Sequence, residues 1–134
     1  MIKIFKIFIF SCLIIFQSSF AIASGLVWKV SASGNGQFTT IQAAIDHIPK
    51  GAHEFISIQI EAGVYNEKLF IKKSSFELVG AGIGKTIITQ SIARDAWRCD
   101  HIDDWGVATV NVDSCRAINF KNLTIENRYG FENK

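Results

Sequence analysis

In Ile56-Ser57-Ile58-Gln59-Ile60 the apolar and polar side chains alternate strictly. Strict alternation over a run of this length is typical of a β-strand with one face against a core. A further short strand is predicted at Val27–Val30. Six other runs share the β-branched and aromatic composition of strands and are separated by Gly, Asn, Asp and Lys: Leu69–Ile71, Phe76–Val79, Thr86–Thr89, Val107–Val112, Ile118–Phe120 and Leu123–Ile125.

The spacing of these strands indicates how they stack. Ile58 and Leu78 lie 20 residues apart, which is within the range of solenoid repeats. The strands would then form successive coils of an all-β parallel β-helix. An antiparallel sandwich also gives short strands at regular intervals, so the periodicity alone leaves the two architectures open.

A short amphipathic helix is predicted between the first two strands. Thr39 or Thr40 can cap its amino terminus, and Pro49-Lys50-Gly51 ends it. Because the terminal coil of a solenoid must cover its apolar face, we expect this helix to cap the first coil. No comparable cap is predicted at the other end, so the stack is expected to be truncated at Lys134, with an apolar coil and unpaired strand edges exposed. The apolar positions of the helix are Ile41, Ala44, Ile45 and Ile48.

The first residues have the pattern of a secretory signal peptide. Lys3 and Lys6 precede an uncharged apolar run over residues 7–20, and Ala21-Ile22-Ala23 matches a small-x-small cleavage site. A membrane anchor is the alternative, but the apolar run is interrupted by polar residues and is shorter than the roughly 18 residues that indicate a spanning helix. We therefore expect residues 1–23 to be removed, residues 24–134 to be secreted into an extracellular or periplasmic space, and the mature chain to have no membrane segment.

Charge and cysteine content limit the classes of function. After cleavage the chain carries 12 basic residues (14 − 2, since Lys3 and Lys6 are removed) and 12 acidic residues. A near-zero net charge with no basic stripe argues against a nucleic-acid partner. Cys99 and Cys115 remain in the mature chain. They form either one disulfide or two separate buried thiols.

Two motifs suggest other chemistry and do not fit it well. Residues 80–86, GAGIGKT, contain the Gly-Lys-Thr of a phosphate-binding loop. Val79 stands where the first glycine of that loop belongs, and a strand follows instead of a helix, so a tight glycine turn is expected.

Residues 99–104, CDHIDD, gather metal-ligand side chains, but a solvated acidic loop is the simpler interpretation. Asp103 and Asp104 would point to opposite faces of a strand and not act together as acid and base.

Aromatic residues beside the acidic loop are candidates for carbohydrate contact. Trp97 and Trp105 flank the loop, and a tryptophan face can stack on a sugar ring. Packing of the loop onto the coils is the alternative, because aromatic side chains bury large areas. Between the strands, Gly63-Val64-Tyr65-Asn66-Glu67 contains a glycine suited to a turn, a ring with a hydroxyl, and a carboxylate able to hold backbone amides or Lys68.

Taken in order, several segments resemble the amino-terminal part of the pectinesterase family, and the resemblance covers residues 27–127. It implies a right-handed parallel β-helix of the pectin lyase-like kind, methyl-esterified polygalacturonate (pectin) as the substrate, and ester hydrolysis with no metal or organic cofactor. Gly63, Tyr65 and Glu67 lie in the matched motif and are expected to support the structure or the cleft. The segments that carry the resemblance are Ser33–Phe38, Thr40–Ile45, Ile60–Lys68, Leu78–Gly80 and Lys85–Ile88.

The resemblance also implies which groups perform the reaction. In the family one aspartate attacks the ester carbonyl, a second moves the proton, glutamines stabilise the oxyanion, and an arginine orients the nucleophile. The corresponding motifs are a Gln-Ala-Val-type strand, a Gln-Asp-Thr strand, an Asp-Phe-Ile-Phe-Gly strand and an Arg-Pro-Trp segment, and none occurs in this sequence. They would follow Asn127, so no residue of this chain is assigned a catalytic role.

A family position in the substrate cleft differs here. Many members carry a threonine directly after a Leu-Thr-Ile-x-Asn strand, which corresponds to Leu123–Asn127. This chain has Arg128 at that position. Either the cleft is altered or the chain diverges from the family at this point.

We therefore expect an amino-terminal fragment of a secreted pectinesterase that is inactive alone. The alternative is a non-catalytic, secreted β-helix piece that binds polysaccharide or has a structural role, with Trp97, Trp105 and Arg128 as candidate contacts. A third hypothesis is a β-helical polysaccharide lyase, which would depend on calcium.

Overall fold

The computed structural model describes residues 25–52, 54–72, 75–102 and 106–131. The expected signal peptide, Asp103, Asp104 and Trp105 lie outside the described residues. In chain order the elements are β1 (Leu26–Val30), α1 (Ile41–His47), β2 (Ile56–Ile60), β3 (Gly63–Asn66), β4 (Leu69–Ile71), β5 (Ser75–Gly80), β6 (Thr86–Gln90), α2 (Arg94–Asp100), β7 (Val110–Val112), β8 (Ala117–Lys121) and β9 (Thr124–Asn127).

The strands form three parallel sheets, with orders β1-β2-β5-β8, β3-β6-β9 and β4-β7. Every pairing between these strands is parallel, which rules out the antiparallel sandwich and confirms the parallel β-helix. Ile58 pairs with Leu78 in the first sheet, so the 20-residue spacing marks one coil. Between β6 and β7 the coil is longer and includes α2.

The core consists of side chains stacked in columns along the coils. In the first sheet Trp28, Ile58 and Leu78 occupy one column, and all three are buried. In the second sheet Tyr65 pairs with Ile88, and both are buried. Alternation within each strand places these residues inward, and each coil buries its apolar face against its neighbours.

Helix α1 closes the first end of the stack, as the sequence predicted. Thr40 is its N-cap, with Oγ1 accepting a hydrogen bond from the N–H of Ala43 at 3.2 Å. The helix buries Ile41, Ala44 and Ile45 in the core shared with the coils. The indole ring of Trp28 packs at the same end, 5.6 Å from the ring of Phe38 and 5.2 Å from that of His47.

The other end of the stack is open within the part of the chain that the structure describes. Phe120 and Ile125 are 39% and 41% exposed, although their partners Leu78 and Ile88 in the preceding coil are fully buried. Val112, which follows Ile71 in the third sheet, is 47% exposed. Among residues 106–131 the coil formed by β7, β8 and β9 continues the inward pattern, and no described residue forms a further layer over it.

The glycine-rich segment 80–86 forms a turn and not a phosphate-binding loop. It connects β5 to β6, so a strand follows it, as expected. Gly80 lies where the chain passes close to the next coil, because a Cβ added there would clash with the carbonyl oxygen of Asn122. Gly84 has a φ of 72°, in the left-handed region that favours glycine.

Two elements differ from the sequence prediction. Residues 63–66 form strand β3, where a turn at Gly63 was expected, because Tyr65 points inward and pairs with the buried Ile88. Residues 94–100 form helix α2, where Cys99 and Asp100 were expected in an acidic loop. The helix has no buried residue and so left no amphipathic pattern in the sequence.

Cys99 and Cys115, the cysteines within the described ranges, are both free thiols, so they do not form a disulfide with each other. Cys99 is exposed on α2, with its Sγ 3.2 Å from the carbonyl oxygen of Asp95. Cys115 is half-buried beside Asp113 and Ile71. The expectation of two buried thiols is therefore wrong for Cys99, because α2 lies on the outside of the coils.

Candidate functional site

The candidate site lies where the strands of the second sheet end. Because β3, β6 and β9 are parallel and in register, the residues that follow them share one edge of the stack. Glu67 donates its N–H to the carbonyl oxygen of Thr89 at 3.1 Å, and Arg128 donates its N–H to that of Gln90 at 2.9 Å. These backbone bonds hold Glu67 and Arg128 at the same edge.

Arg128 presents a largely exposed cation at this edge. Its side chain is 60% exposed, and Nε lies 3.8 Å from a carboxylate oxygen of Glu126, which is a loose ion pair. The guanidinium is free to meet an anionic partner from solvent. A guanidinium offers several donors in a planar fork that matches a carboxylate.

Glu67 lies at the corner between β3 and β4. Its two carboxylate oxygens accept hydrogen bonds from the N–H groups of Ile41 at 3.0 Å and Gln42 at 2.9 Å. These are unpaired donors in the first turn of α1, where a negative charge is favourable. The carboxylate therefore holds backbone amides, which are one of the two kinds of partner expected from the sequence.

Tyr65 and Gly63 serve the packing of β3. Tyr65 is 3% exposed, and its hydroxyl donates to the carbonyl oxygen of Glu61 at 3.1 Å. Burial raises the pKa of this hydroxyl, so it stays protonated as a donor. Gly63 begins β3, and its N–H donates to the carbonyl oxygen of Lys85 at 2.8 Å. The Gly-x-Tyr-x-Glu motif thus fixes the coil and connects it to α1.

The sequence did not predict the role of Gln42, whose side chain joins α1 to β4. Its Oε1 accepts from the N–H of Phe70 at 2.9 Å, and its Nε2 donates to the carbonyl oxygen of Phe70 at 3.1 Å. The side-chain amide therefore pairs with β4 as a neighbouring strand would. Its presence in the matched segment Thr40–Ile45 was the available signal, but its partner is 28 residues away.

An aromatic and cationic cluster lies beside this edge, formed by Lys68, Phe70, Trp97 and His101. The rings of Trp97 and His101 are stacked, with centroids 3.7 Å apart and an angle of 7° between their planes. Lys68 Nζ lies 4.2 Å from the Phe70 ring centroid and 4.9 Å from that of Trp97. His101 covers one face of the Trp97 ring. A sugar could stack on that face only after displacing His101.

The predicted contact residues are thus only partly brought together. Trp97 is fixed against β4 through Phe70, at a centroid distance of 6.5 Å, and Arg128 lies at the carboxyl-terminal edge of the second sheet. Trp105 lies outside the described residues, as do Asp103 and Asp104. Among the residues described, no group of three or more His, Cys, Asp and Glu could hold a metal ion.

Across the described ranges, neither helix is long and apolar enough to cross a bilayer.

The chain is a parallel β-helix closed by an amino-terminal helix, and its Gly-x-Tyr-x-Glu corner anchors this helix. These features place the chain in the β-helical solenoid class. A family model described as Pectinesterase matches residues 28–134. The chain belongs to the pectinesterase family.

Curated relatives and solved structures agree with this assignment. The chain is 37% identical over 109 residues to Probable pectinesterase 29 of Arabidopsis thaliana, covering 78% of the chain and 29% of the relative. It is 48% identical over 62 residues to Probable pectinesterase/pectinesterase inhibitor 17 of the same plant, covering 46% of the chain and 12% of the relative.

The crystal structure of a pectin methylesterase in complex with hexasaccharide VII matches with a TM-score of 0.66 at 29% identity, over 78% of this chain and 31% of that one. Pectin methylesterase from carrot matches with a TM-score of 0.57 at 26% identity, over 75% of this chain and 30% of that one. The chain therefore spans less than a third of the length of these proteins.

Proposed function

We propose that the complete domain to which this chain belongs hydrolyses the methyl esters of polygalacturonate, and that this chain supplies its helix-capped first coils. The observation that carries the proposal is the match to the pectinesterase family over residues 28–134, supported by the shared coil geometry of the solved pectin methylesterases.

We further propose that this chain does not hydrolyse pectin alone. An ester hydrolase of this kind needs a free carboxylate nucleophile with a second proton-transferring group close by. The carboxylate of Glu67 is held by two backbone amides of α1. Glu61 is held by Lys29 and Ser31, and Glu77 by Lys121 and Ser57. Such carboxylates are poorly suited to attack a substrate.

The proposed contribution of this chain to substrate binding is the exposed cation of Arg128. Demethylated galacturonate units carry carboxylates, and a guanidinium binds a carboxylate through paired hydrogen bonds. Trp97 and Trp105 are proposed as additional sugar contacts. Tryptophan faces offer apolar area to the C–H face of a sugar ring, while Arg128 supplies the charge.

A second candidate function is polysaccharide binding without catalysis. The same exposed Arg128, together with the ring cluster around Trp97, favours it. The two functions differ in one observable, because binding alone releases no methanol.

Export of the chain is part of the proposal. Lys3 and Lys6, the apolar run and Ala21-Ile22-Ala23 support cleavage after residue 23. A pectin-directed protein must leave the cytoplasm to meet its polymer, so secretion agrees with the proposed substrate.

A single-chain hybrid tests the proposed reaction. The aligned segment of this chain replaces its counterpart in Probable pectinesterase 29, and methanol release from methyl-esterified pectin is measured for the hybrid and the parent. The proposal predicts methanol release by the hybrid. A folded hybrid that binds pectin and releases none, beside an active parent, would favour the binding function and contradict the esterase proposal.

A further inference from the structure

A cleft lies between α1 and the third sheet. Its volume is about 650 Å³, and ligand pockets typically measure about 300–1,000 Å³. Helix α1 and residues 48–52, which follow it, form one wall, and β4 and the start of β5 form the other. Of its described lining residues, Ser114 alone lies beyond β5, between β7 and β8. The cleft is therefore built by the first coils and not by the open end of the stack.

Hydrogen bonds within the protein hold both walls of this cleft. After α1, the N–H of Ala52 donates to the carbonyl oxygen of Pro49 at 3.2 Å and closes a turn. The side-chain amide of Gln42 pairs with the backbone of Phe70, and its Nε2 also donates to Oδ1 of Asp46 at 2.9 Å. A site whose walls are already fixed loses little conformational entropy when a ligand enters.

The cleft combines an apolar floor with a charged rim. Ile48 is 5% exposed, and Ala52 packs against the same core. Lys50 is exposed on the wall formed by the segment after α1, and Lys72 is exposed directly after β4. The ion pair of Lys72 is loose, because its Nζ lies 3.9 Å from a carboxylate oxygen of Asp113 and its side chain is 72% exposed. Two ammonium groups can therefore meet a ligand at the rim.

This combination suits an acidic oligosaccharide. The C–H faces of sugar rings pack on apolar surface, sugar hydroxyls hydrogen-bond with rim groups such as Asp46 and Ser114, and uronate carboxylates pair with ammonium groups. The described lining carries one carboxylate, that of Asp46, and two ammonium groups, those of Lys50 and Lys72. Its charge therefore favours an anionic ligand over a cationic one.

We propose that this cleft is a second carbohydrate site, which binds a short segment of demethylated polygalacturonate. None of its described lining residues belongs to the second sheet, whose edge presents Arg128. A polymer held in the cleft keeps the protein on its substrate and raises the effective concentration of other segments of the same polymer. The choice of galacturonate as the ligand rests on the proposed function; the anion preference of the cleft does not.

Lysine footprinting of the single-chain hybrid tests the site. The probe is a trimer of galacturonate, a neutral trimer of glucose is the control ligand, and mass spectrometry follows acetylation of each lysine. We expect saturating galacturonate trimer to slow acetylation of Lys50 and Lys72 by about threefold or more. Lys85, which is exposed on the turn between β5 and β6, should react at an unchanged rate. The neutral trimer should protect none of the three.

Charge reversal gives a second readout that is specific to the cleft. Lys50→Glu should raise the trimer concentration that half-protects Lys72 by about three- to tenfold, because it places a negative charge beside the uronate. Lys72→Glu should have the same effect on Lys50. Lys85→Glu is the matched control and should leave both concentrations unchanged. Circular dichroism establishes that each variant folds, as expected for substitutions at exposed positions.

The footprint and the activity separate this inference from the proposed function. Protection of Lys50 and Lys72 in a hybrid that releases methanol supports both, and protection without methanol release supports the cleft and contradicts the esterase proposal. Unchanged reactivity of the two lysines overturns the inference whether or not the hybrid releases methanol. Equal protection by the neutral trimer also overturns it, because the ammonium groups would then not select a uronate.

Discussion

The side-chain amide of Gln42 pairs with both backbone groups of Phe70, with Oε1 accepting at 2.9 Å and Nε2 donating at 3.1 Å. Gln42 of α1 therefore makes the backbone hydrogen bonds with β4 that a neighbouring strand would make. Nε2 also donates to Asp46 at 2.9 Å. This arrangement joins the cap to the coil and blocks an edge that could otherwise pair with another chain.

Gln42→Ala should destabilise the chain by about 1–2 kcal/mol, because it leaves the N–H and C=O of Phe70 without these partners. Gln59→Ala, at an exposed position of β2, is the control and should cost less than about 0.5 kcal/mol. Urea unfolding followed by circular dichroism measures both. Equal costs would mean that the Gln42 amide contributes no more than a surface side chain.

Glu67→Ala should destabilise by about 1–3 kcal/mol, because two N–H groups at the start of α1 lose their acceptor. Glu67→Gln keeps one acceptor oxygen and should have a smaller effect. The exposed Glu54 offers the matched control, since Glu54→Ala removes a carboxylate without a comparable role. If Glu67→Ala and Glu54→Ala gave the same unfolding midpoint, the Glu67 carboxylate would not stabilise the start of α1.

Gly80→Ala should destabilise the chain by about 1–3 kcal/mol through overpacking, because the new Cβ would clash with the carbonyl oxygen of Asn122 and lie 2.8 Å from Cβ of Leu123. Gly84→Asn tests a glycine whose positive φ, and not a lack of space, favours glycine. A Cβ at Gly84 meets open space, and asparagine tolerates its φ of 72°. We expect Gly84→Asn to cost less, and the opposite order in thermal unfolding would contradict the close approach of these coils.

The free energy of unfolding should fall in acid because the carboxylates of Glu77 and Glu61 become protonated. The pKa of Glu77 is lowered from its ordinary value of 4.5 by hydrogen bonds from Lys121 and then Ser57; that of Glu61 is lowered by Lys29 and then Ser31. A folded-state pKa below the unfolded one gives stability that is present above pH 4.5 and is lost as the pH falls through the folded-state pKa.

Glu77→Gln should therefore reduce the dependence of the unfolding free energy on pH below 4.5. Urea titrations at a series of pH values between 3 and 6 provide the measurement. A slope in Glu77→Gln as steep as that of the unaltered chain would show that Lys121 and Ser57 do not stabilise the charged carboxylate.

Arg128→Gln should weaken binding of polygalacturonate to the active single-chain hybrid by about two- to fivefold, as expected for one exposed ion pair. Arg116→Gln removes another exposed arginine, before β8, and should have no such effect. Calorimetry at low and high salt measures both. If the two variants bind alike, the edge of the second sheet does not contact the uronate carboxylates.

Much of the fold followed from local patterns. The alternation in Ile56–Ile60 and the spacing between Ile58 and Leu78 predicted strands and a coil length that the structure confirms. The Thr40 cap and the apolar spacing of α1 predicted the helix. These features depend on neighbours in sequence or on one repeat, so the amino-acid pattern carries them.

The remaining features depend on long-range partners. The acceptor role of Glu67 toward α1 spans 26 residues, and the pairing of Gln42 with Phe70 spans 28. Helix α2 has no buried face and is held beside the coils through Trp97, Phe70 and Lys68. No local periodicity encodes such contacts, so these parts of the candidate site emerged only from the structure.

The most direct measurement is methanol release from methyl-esterified pectin by the purified chain, with its solution size recorded in the same preparation. We expect no release above the rate of a buffer blank, beside clear release by the active hybrid. Methanol release by a soluble monomer of this chain would contradict this expectation, and would require a nucleophile within these 134 residues.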